Sequence, residues 1–331
     1  MFSAKENLRQ FLVSQNKPVK IQPLTPDASV REYFRINWND STAIACVYPE
    51  PFLPKEQTYL NVTNLFLLGG LPVAKIYDFS GALGVIIQED FGDTILRDVL
   101  EKADYKEKNE LLNEAIKLIA RIQAATEKAF EINSISSRLR FDEEKLAWEL
   151  NFFKEHFFET FKKQSLSVKD NHTLATEFTE LARELERHAS VLCHRDFHAA
   201  NLMIDPENRL RIIDQQDARI GAASYDFVSL LLDRVLETPD EDWLEEKIRL
   251  FLAERDKLDL EKISFEEFLN EFRLQTIQRC LKAIGTFSFQ SVVRGKIYFI
   301  PFIVPMFRIV LDAAENLGRF PNLQRIIKKQ I

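Results

Sequence analysis

The stretch "HRDFHAAN", residues 194–201, gathers two imidazoles, a guanidinium, a carboxylate and an amide into one short segment. Apolar "SVLC" precedes it and "LMI" follows, so it reads as a polar loop between buried elements. Charge held among core residues costs several kcal/mol unless it is compensated. Three chemistries suit these residue types. Asp196 could cap the turn, with His194 and His198 bonded to main chain. Cys193, His194 and His198 resemble metal ligands by spacing, although no further Cys or His cluster lies nearby to complete a tetrahedral set. In the third chemistry Asp196 faces a hydroxyl as general base, and the Asn201 amide, one loop further on, holds a metal bridging phosphates. Phosphoryl transfer also calls for a second metal carboxylate on a strand end soon after the loop. Asp214 closes "LRIID", beyond the turn "DPEN", in the required place. Loop, hairpin and Asp214 together are best answered by phosphoryl transfer.

The flanking sequence shows what must position these groups. In the first ninety residues "VREYFRI" (30–36) and "AIACVY" (43–48) favour β-branched and aromatic residues on either side of the turn-forming "NWNDS". "LPVAKIYDF" and "LGVIIQED" are two further short runs. Between the pairs, "PKEQTYLNVTNLFLLGG" spaces Tyr59, Val62, Leu65 and Phe66 as a helix and stops at a glycine pair. From residue 94 the pattern is helical. "NELLNEAIKLIARIQAA" carries an apolar stripe, and "FDEEKLAWELNFFKEHFFETFKK" reads as one long helix whose aromatic face packs into a core. His156, His172 and His188 are read as structural. The strands "NLMI" and "LRIID" interrupt the helices, which resume over most of 224–318. The expectation is an α+β, two-lobed fold. A small β-rich N-terminal lobe (1–91) precedes a larger helical lobe (92–331) that carries the loop and the acceptor site.

Composition narrows the function classes. A chain of 331 residues exceeds the size at which one core keeps growing. A net charge of −7 offers no general basic surface, so no nucleic-acid partner is expected. Cys46, Cys193 and Cys280 are scattered and odd in number, which fits buried thiols in a reducing compartment. The start, "MFSAKENLRQFLVSQN", lacks the apolar centre of a signal peptide. "IYFIPFIVPMF" (297–307) reads as too short to span a bilayer. The expected setting is cytoplasmic, without a membrane.

H-R-D-x-x-x-x-N is the form of the protein-kinase catalytic loop. The chain resembles the aminoglycoside phosphotransferase/choline kinase family, small-molecule kinases that share the protein-kinase fold. In that family the metal aspartate is not followed by Phe-Gly, and here it reads "DQQDA". "GAASYDFVSLLLD" (221–233) matches the segment after the metal site, where the resemblance makes Asp226 a buttress of the catalytic loop. A narrower similarity is to the bacterial kinases that phosphorylate N-acetylmuramate and N-acetylglucosamine at the anomeric hydroxyl during cell-wall recycling. The stretches that carry it are "DASVREYFRI", "GLPVAKIYDF", "IIQEDFGD", "HRDFHAANLMI", "IIDQQDARIG" and "LKAIGTFSF".

The resemblance implies ATP and Mg2+, with Asp196 as base and Asn201 and Asp214 on the metal. Two departures from the protein-kinase pattern stand out. The turn "LTPDAS" has no glycine, so phosphates would meet backbone amides and Ser29. The strand "AIACVY" lacks the phosphate-gripping lysine, a trait shared with the amino-sugar kinases; Arg31 or Arg35 is the candidate to supply its charge. Adenine would pair with backbone groups around Gln88 and Asp90. On the acceptor side Asp217, Arg234 and Arg279 are the expected contacts, Asp217 alternatively a second-metal contact, with an amino sugar as the small-molecule partner. The alternatives are a kinase of another small hydroxyl compound, of aminoglycoside, choline or homoserine type, or a nucleotide-binding pseudokinase.

Overall fold

The computed structural model describes residues 3–24 and 31–331. Along the chain the elements begin with α1 (Ala4–Ser14), β1 (Ile21–Leu24), β2 (Glu32–Trp38) and β3 (Ser41–Val47). Next come α2 (Thr58–Leu68), β4 (Ile76–Ser80), β5 (Val85–Glu89) and α3 (Leu96–Lys102). Helices follow: α4 (Tyr105–Ala124), α5 (Thr126–Glu131), α6 (Ile135–Arg138), α7 (Glu143–Phe153) and α8 (Val168–His188). Four short strands surround the loop: β6 (Val191–Cys193), β7 (Leu202–Ile204), β8 (Leu210–Ile212) and β9 (Arg219–Gly221). The chain ends in α9 (Tyr225–Leu231), α10 (Glu241–Lys257), α11 (Phe265–Val293), α12 (Ile303–Leu317) and α13 (Pro321–Ile327). The fold is α+β, as expected, and forms two compact units.

The first unit comprises Met1–Asp104 and Ala199–Asp217. Its antiparallel sheet has the order β1-β2-β3-β5-β4. Strand alternation divides the core between the two faces. Ala43, Ala45 and Val47 of β3, with Val85 and Ile87 of β5, pack with Leu8, Phe11 and Leu12 of α1. Cys46 and Ile86, one residue out of step, pack with Tyr59 of α2. Helix α1 and the edge strand β1 are not among the elements read from the sequence. Ser3 and Glu6 form a capping box that starts α1.

The second unit, Tyr105–His198 and Ala218–Ile331, is built around α11. This helix starts at a Ser264/Glu267 capping box and is buried over most of its length. The aromatic face read from the sequence does form core: Phe153 stacks on Phe157, and both meet Phe307 edge-on. The long helix read there is not uniform, because after Phe153 it widens into a π-helical segment, Lys154–Phe161. Phe157 and Phe158 of this segment are both buried. The apolar run read as ending at 307 continues through α12. Ile297–Leu317 is therefore long and apolar enough to cross a membrane by length and composition, which corrects the expectation of too short a run. Met306, Phe307 and Val310 of that stretch are buried in this unit. All three cysteines are free and buried.

Candidate active site

In the second unit the loop leaves β6, which pairs antiparallel with β9 through Leu192 opposite Ile220. His194 is fully buried, and Arg195 has φ 86°, a left-handed conformation that a non-glycine residue seldom adopts without constraint. The constraint comes from α9. Asp226 accepts the His194 amide at 2.6 Å and the Arg195 amide at 3.0 Å, one on each carboxylate oxygen. Burial pushes this carboxyl up to about 6, against the pull of His194 and of the two amides. The Ser224 amide, just before α9, donates to Glu271 of α11 at 2.8 Å and fixes the helix that carries the buttress.

Asp196 follows Arg195 with its side chain 28% exposed. Its Oδ1 accepts from Arg279 Nη2 and from Lys282 Nζ, both at 3.3 Å, while Arg195 Nε stands 3.9 Å from Oδ2. Burial opposes its charge, yet Lys282, Arg279 and Arg195 outweigh that and hold the carboxyl well below the usual range. Arg279 also donates to Ser229 Oγ at 2.8 Å. Arg234 stands just after α9 with its guanidinium over the Phe299 ring, 4.7 Å from the centroid, and 3.9 Å from Asp233. Cys193 is a structural thiol, fully buried, with Sγ 3.4 Å from the Ala222 carbonyl oxygen.

In the first unit the same chain continues through a short 3-10 turn, Ala199–Asn201, into the β7–β8 hairpin. Asp205 shapes the hairpin turn by accepting the amides of Glu207 and Arg209. Beyond the last rung, Leu202 opposite Ile212, the Ile213 amide donates to the Asn201 carbonyl at 3.1 Å. The hairpin therefore sets Asn201 directly across from Ile213, one residue before Asp214. Asp214 has φ 65°, a conformation aspartate tolerates, and is 41% exposed. Its Oδ1 accepts from Arg31 Nη2 at 3.1 Å and from Gln216 Nε2 at 2.9 Å. Gln215 anchors the turn by donating to Thr63 of α2 at 2.7 Å. Asp217 closes that turn, half-buried.

Magnesium takes oxygen ligands and keeps several waters. An exposed carboxylate and an amide held across one hairpin end are donors of that kind. Arg31, bonded to Asp214, shows that the position takes positive charge.

The other nucleotide-side residues fall as follows. Gln88 is buried on β5 and accepts from the Tyr59 hydroxyl at 2.7 Å. Asp90 accepts from Arg35 at 2.7 Å, and Arg35 also reaches Asp93 at 2.8 Å. Both side chains are engaged internally. Ser29 lies outside the described residues.

Within its own unit the structure thus joins Arg31 to Asp214 and Arg279 to Asp196. Lys282, which is not among the acceptor-side residues expected from the sequence, also reaches Asp196. Its signal was present: "RCLK" sets Arg279 and Lys282 three apart, on one helical face.

The sequence model of the phosphotransferase enzyme family matches residues 20–260. An N-acetylmuramate/N-acetylglucosamine kinase from Neisseria meningitidis serogroup B is 30% identical over 263 residues, 79% of this chain and 76% of that one. A kinase of the same name from Pseudomonas aeruginosa is 26% identical over 322 residues, 94% of this chain and 88% of its own. Among solved structures, the choline kinase LicA from Streptococcus pneumoniae superposes with a TM-score of 0.58 at 13% identity, covering 96% of this chain and 99% of that one. The streptomycin–ATP ternary complex of APH(2")-IIa gives 0.57 at 16% identity, covering 91% and 97%. Likeness at that identity speaks for the fold alone.

Proposed function

This chain belongs to the phosphotransferase enzyme family, and we propose that it transfers the γ-phosphoryl group of ATP to the anomeric hydroxyl of N-acetylmuramate or N-acetylglucosamine. The observation that carries the reading is kinship with amino-sugar kinases extending far beyond the catalytic loop, over 94% of the chain in the Pseudomonas relative.

Asp196 takes the proton of the acceptor hydroxyl. The bond formed joins that oxygen to the γ-phosphorus. The bond broken joins the γ-phosphorus to the oxygen it shares with the β-phosphate, so ADP leaves and Asp196 afterwards gives its proton to water. Asn201 and Asp214 hold Mg2+, which when bound neutralises phosphate charge. Arg31 supports Asp214 and supplies the charge that the missing lysine would bring, and main chain near Gln88 and Asp90 meets adenine, with Ser29 toward the phosphates. Asp217, Arg234 and Arg279 face the acceptor. Residues 1–91 act as the nucleotide lobe and 92–331 as the acceptor lobe, in the cytoplasm where ATP is at hand.

A carboxylate held as firmly ionised as Asp196 is a weak base. An anomeric hydroxyl is more acidic than an ordinary alcohol, so a weak base suffices, and positioning and charge neutralisation supply most of the acceleration. The test is an acceptor panel read by phosphorus NMR with ATP and Mg2+. The expected product is a sugar 1-phosphate that hydrolyses readily in acid. An acid-stable phosphate, or turnover only of aminoglycosides or choline, refutes the acceptor assignment.

A further inference from the structure

Helix α11 is buried almost throughout, yet Gln275, Gln278, Arg279 and Lys282 form a polar stripe at the i, i+3, i+4, i+7 spacing of a single face. Burying an arginine and a lysine costs several kcal/mol unless partners meet them. Both reach the same atom, Asp196 Oδ1, at 3.3 Å. Behind them Glu149 of α7, fully buried, accepts from Gln278 Nε2 at 2.8 Å, and Gln275 Nε2 in turn donates to Gln278 at 2.8 Å. Stripe and glutamate thus make a braced support aimed at one carboxylate.

We propose that Lys282 and Arg279 are positioning residues for the base, clamping the Asp196 carboxylate by its Oδ1 so that it is held in one orientation for the acceptor hydroxyl. This deepens the proposed function and rests on Asp196 being its base. The titratable and charged groups facing Asp196 include Arg195 and His198 from its own loop, Arg279 and Lys282 from α11 and Tyr225 from α9. Arg279 and Lys282 are themselves faced by Glu149, and Arg279 also by Tyr225 and Asp233. Lys282 is the better probe, because Arg279 also holds Ser229.

The experiment follows the Asp196 carboxyl by carbon-13 NMR in aspartate-labelled resting enzyme, its signal identified by loss in Asp196→Asn. Lys282→Gln should raise the titration midpoint by at least about one pH unit, the smaller end of what an opposite charge at this distance does. Lys282→Arg should keep it near the wild-type value. The same variants, assayed with N-acetylglucosamine, should show kcat falling by about tenfold or more in Lys282→Gln and recovering in Lys282→Arg, with KM for ATP unchanged. A midpoint that does not move in folded Lys282→Gln overturns the clamp. Because the titration needs no acceptor, a wild-type enzyme inactive on amino sugars would reject the acceptor assignment and leave this measurement standing.

Discussion

Arg195 holds a left-handed backbone that costs on the order of 1–3 kcal/mol, and two hydrogen bonds from its neighbourhood to Asp226 keep it there. The consequence is that Asp196 projects from a loop whose main chain cannot relax. Asp196→Asn should therefore leave the loop folded and nucleotide binding nearly unchanged, while kcat drops toward the lower part of the roughly 10²–10⁴-fold range of general-base assistance. The turn-cap alternative predicts a lowered melting temperature with little loss of kcat. Measuring kcat, nucleotide Kd and melting temperature on this variant separates the two, and a kcat loss under about threefold would remove Asp196 as base. The residue types and spacing of 194–201 were legible in the sequence. That Arg279 and Lys282 share a helical face was legible too, but not that this face meets Asp196, since α11 lies far along the chain.

At the scale of elements, α11 decides how the second unit packs. Gly285 lies where α11 crosses α7, and a Cβ there would meet the Phe153 Cα at 2.7 Å and the Phe153 nitrogen at 3.0 Å. Both are backbone atoms, so no flexible side chain can give way. Gly285→Ala should destabilise the protein by about 1–3 kcal/mol, as overpacking does. Urea unfolding is the check, and a midpoint equal to wild type would show that the two helices separate freely. Periodicity predicted these helices because an apolar stripe at 3.6-residue spacing has few other readings. It could not reveal the π-helical turn at Lys154–Phe161, because a run dense in phenylalanine satisfies either winding.

For the whole molecule, stability responds to pH through buried carboxyls acting in opposite senses. Asp226, raised by burial to about 6, keeps a proton that the unfolded chain has released above about 3.9. Its contribution to stability therefore falls as pH rises from about 4 to about 6. Asp196, held low by Lys282, Arg279 and Arg195 in spite of burial, contributes stability that is present above about 3.9 and lost as pH falls through its folded value. Asp226→Asn abolishes the first effect. Compared with wild type, that variant should gain on the order of 1–3 kcal/mol between pH 4 and pH 6.5, read from unfolding curves across the range. A constant difference would remove Asp226 from the pH response.

The sequence by itself determined the reaction class, the order of most elements and the loop, hairpin and strand-end carboxylate, because each rests on spacing within a few residues or on a helical or strand period. Only the tertiary structure decided which charges meet. Arg31 finds Asp214, Arg35 finds Asp90, and Asp226 finds the amides of His194 and Arg195. Lys282 joins Arg279 on Asp196 by the same kind of encounter. Those pairings depend on how a sheet orders its strands and on which face a buried helix turns inward. Both are set by packing between segments distant in sequence, and no local pattern encodes them.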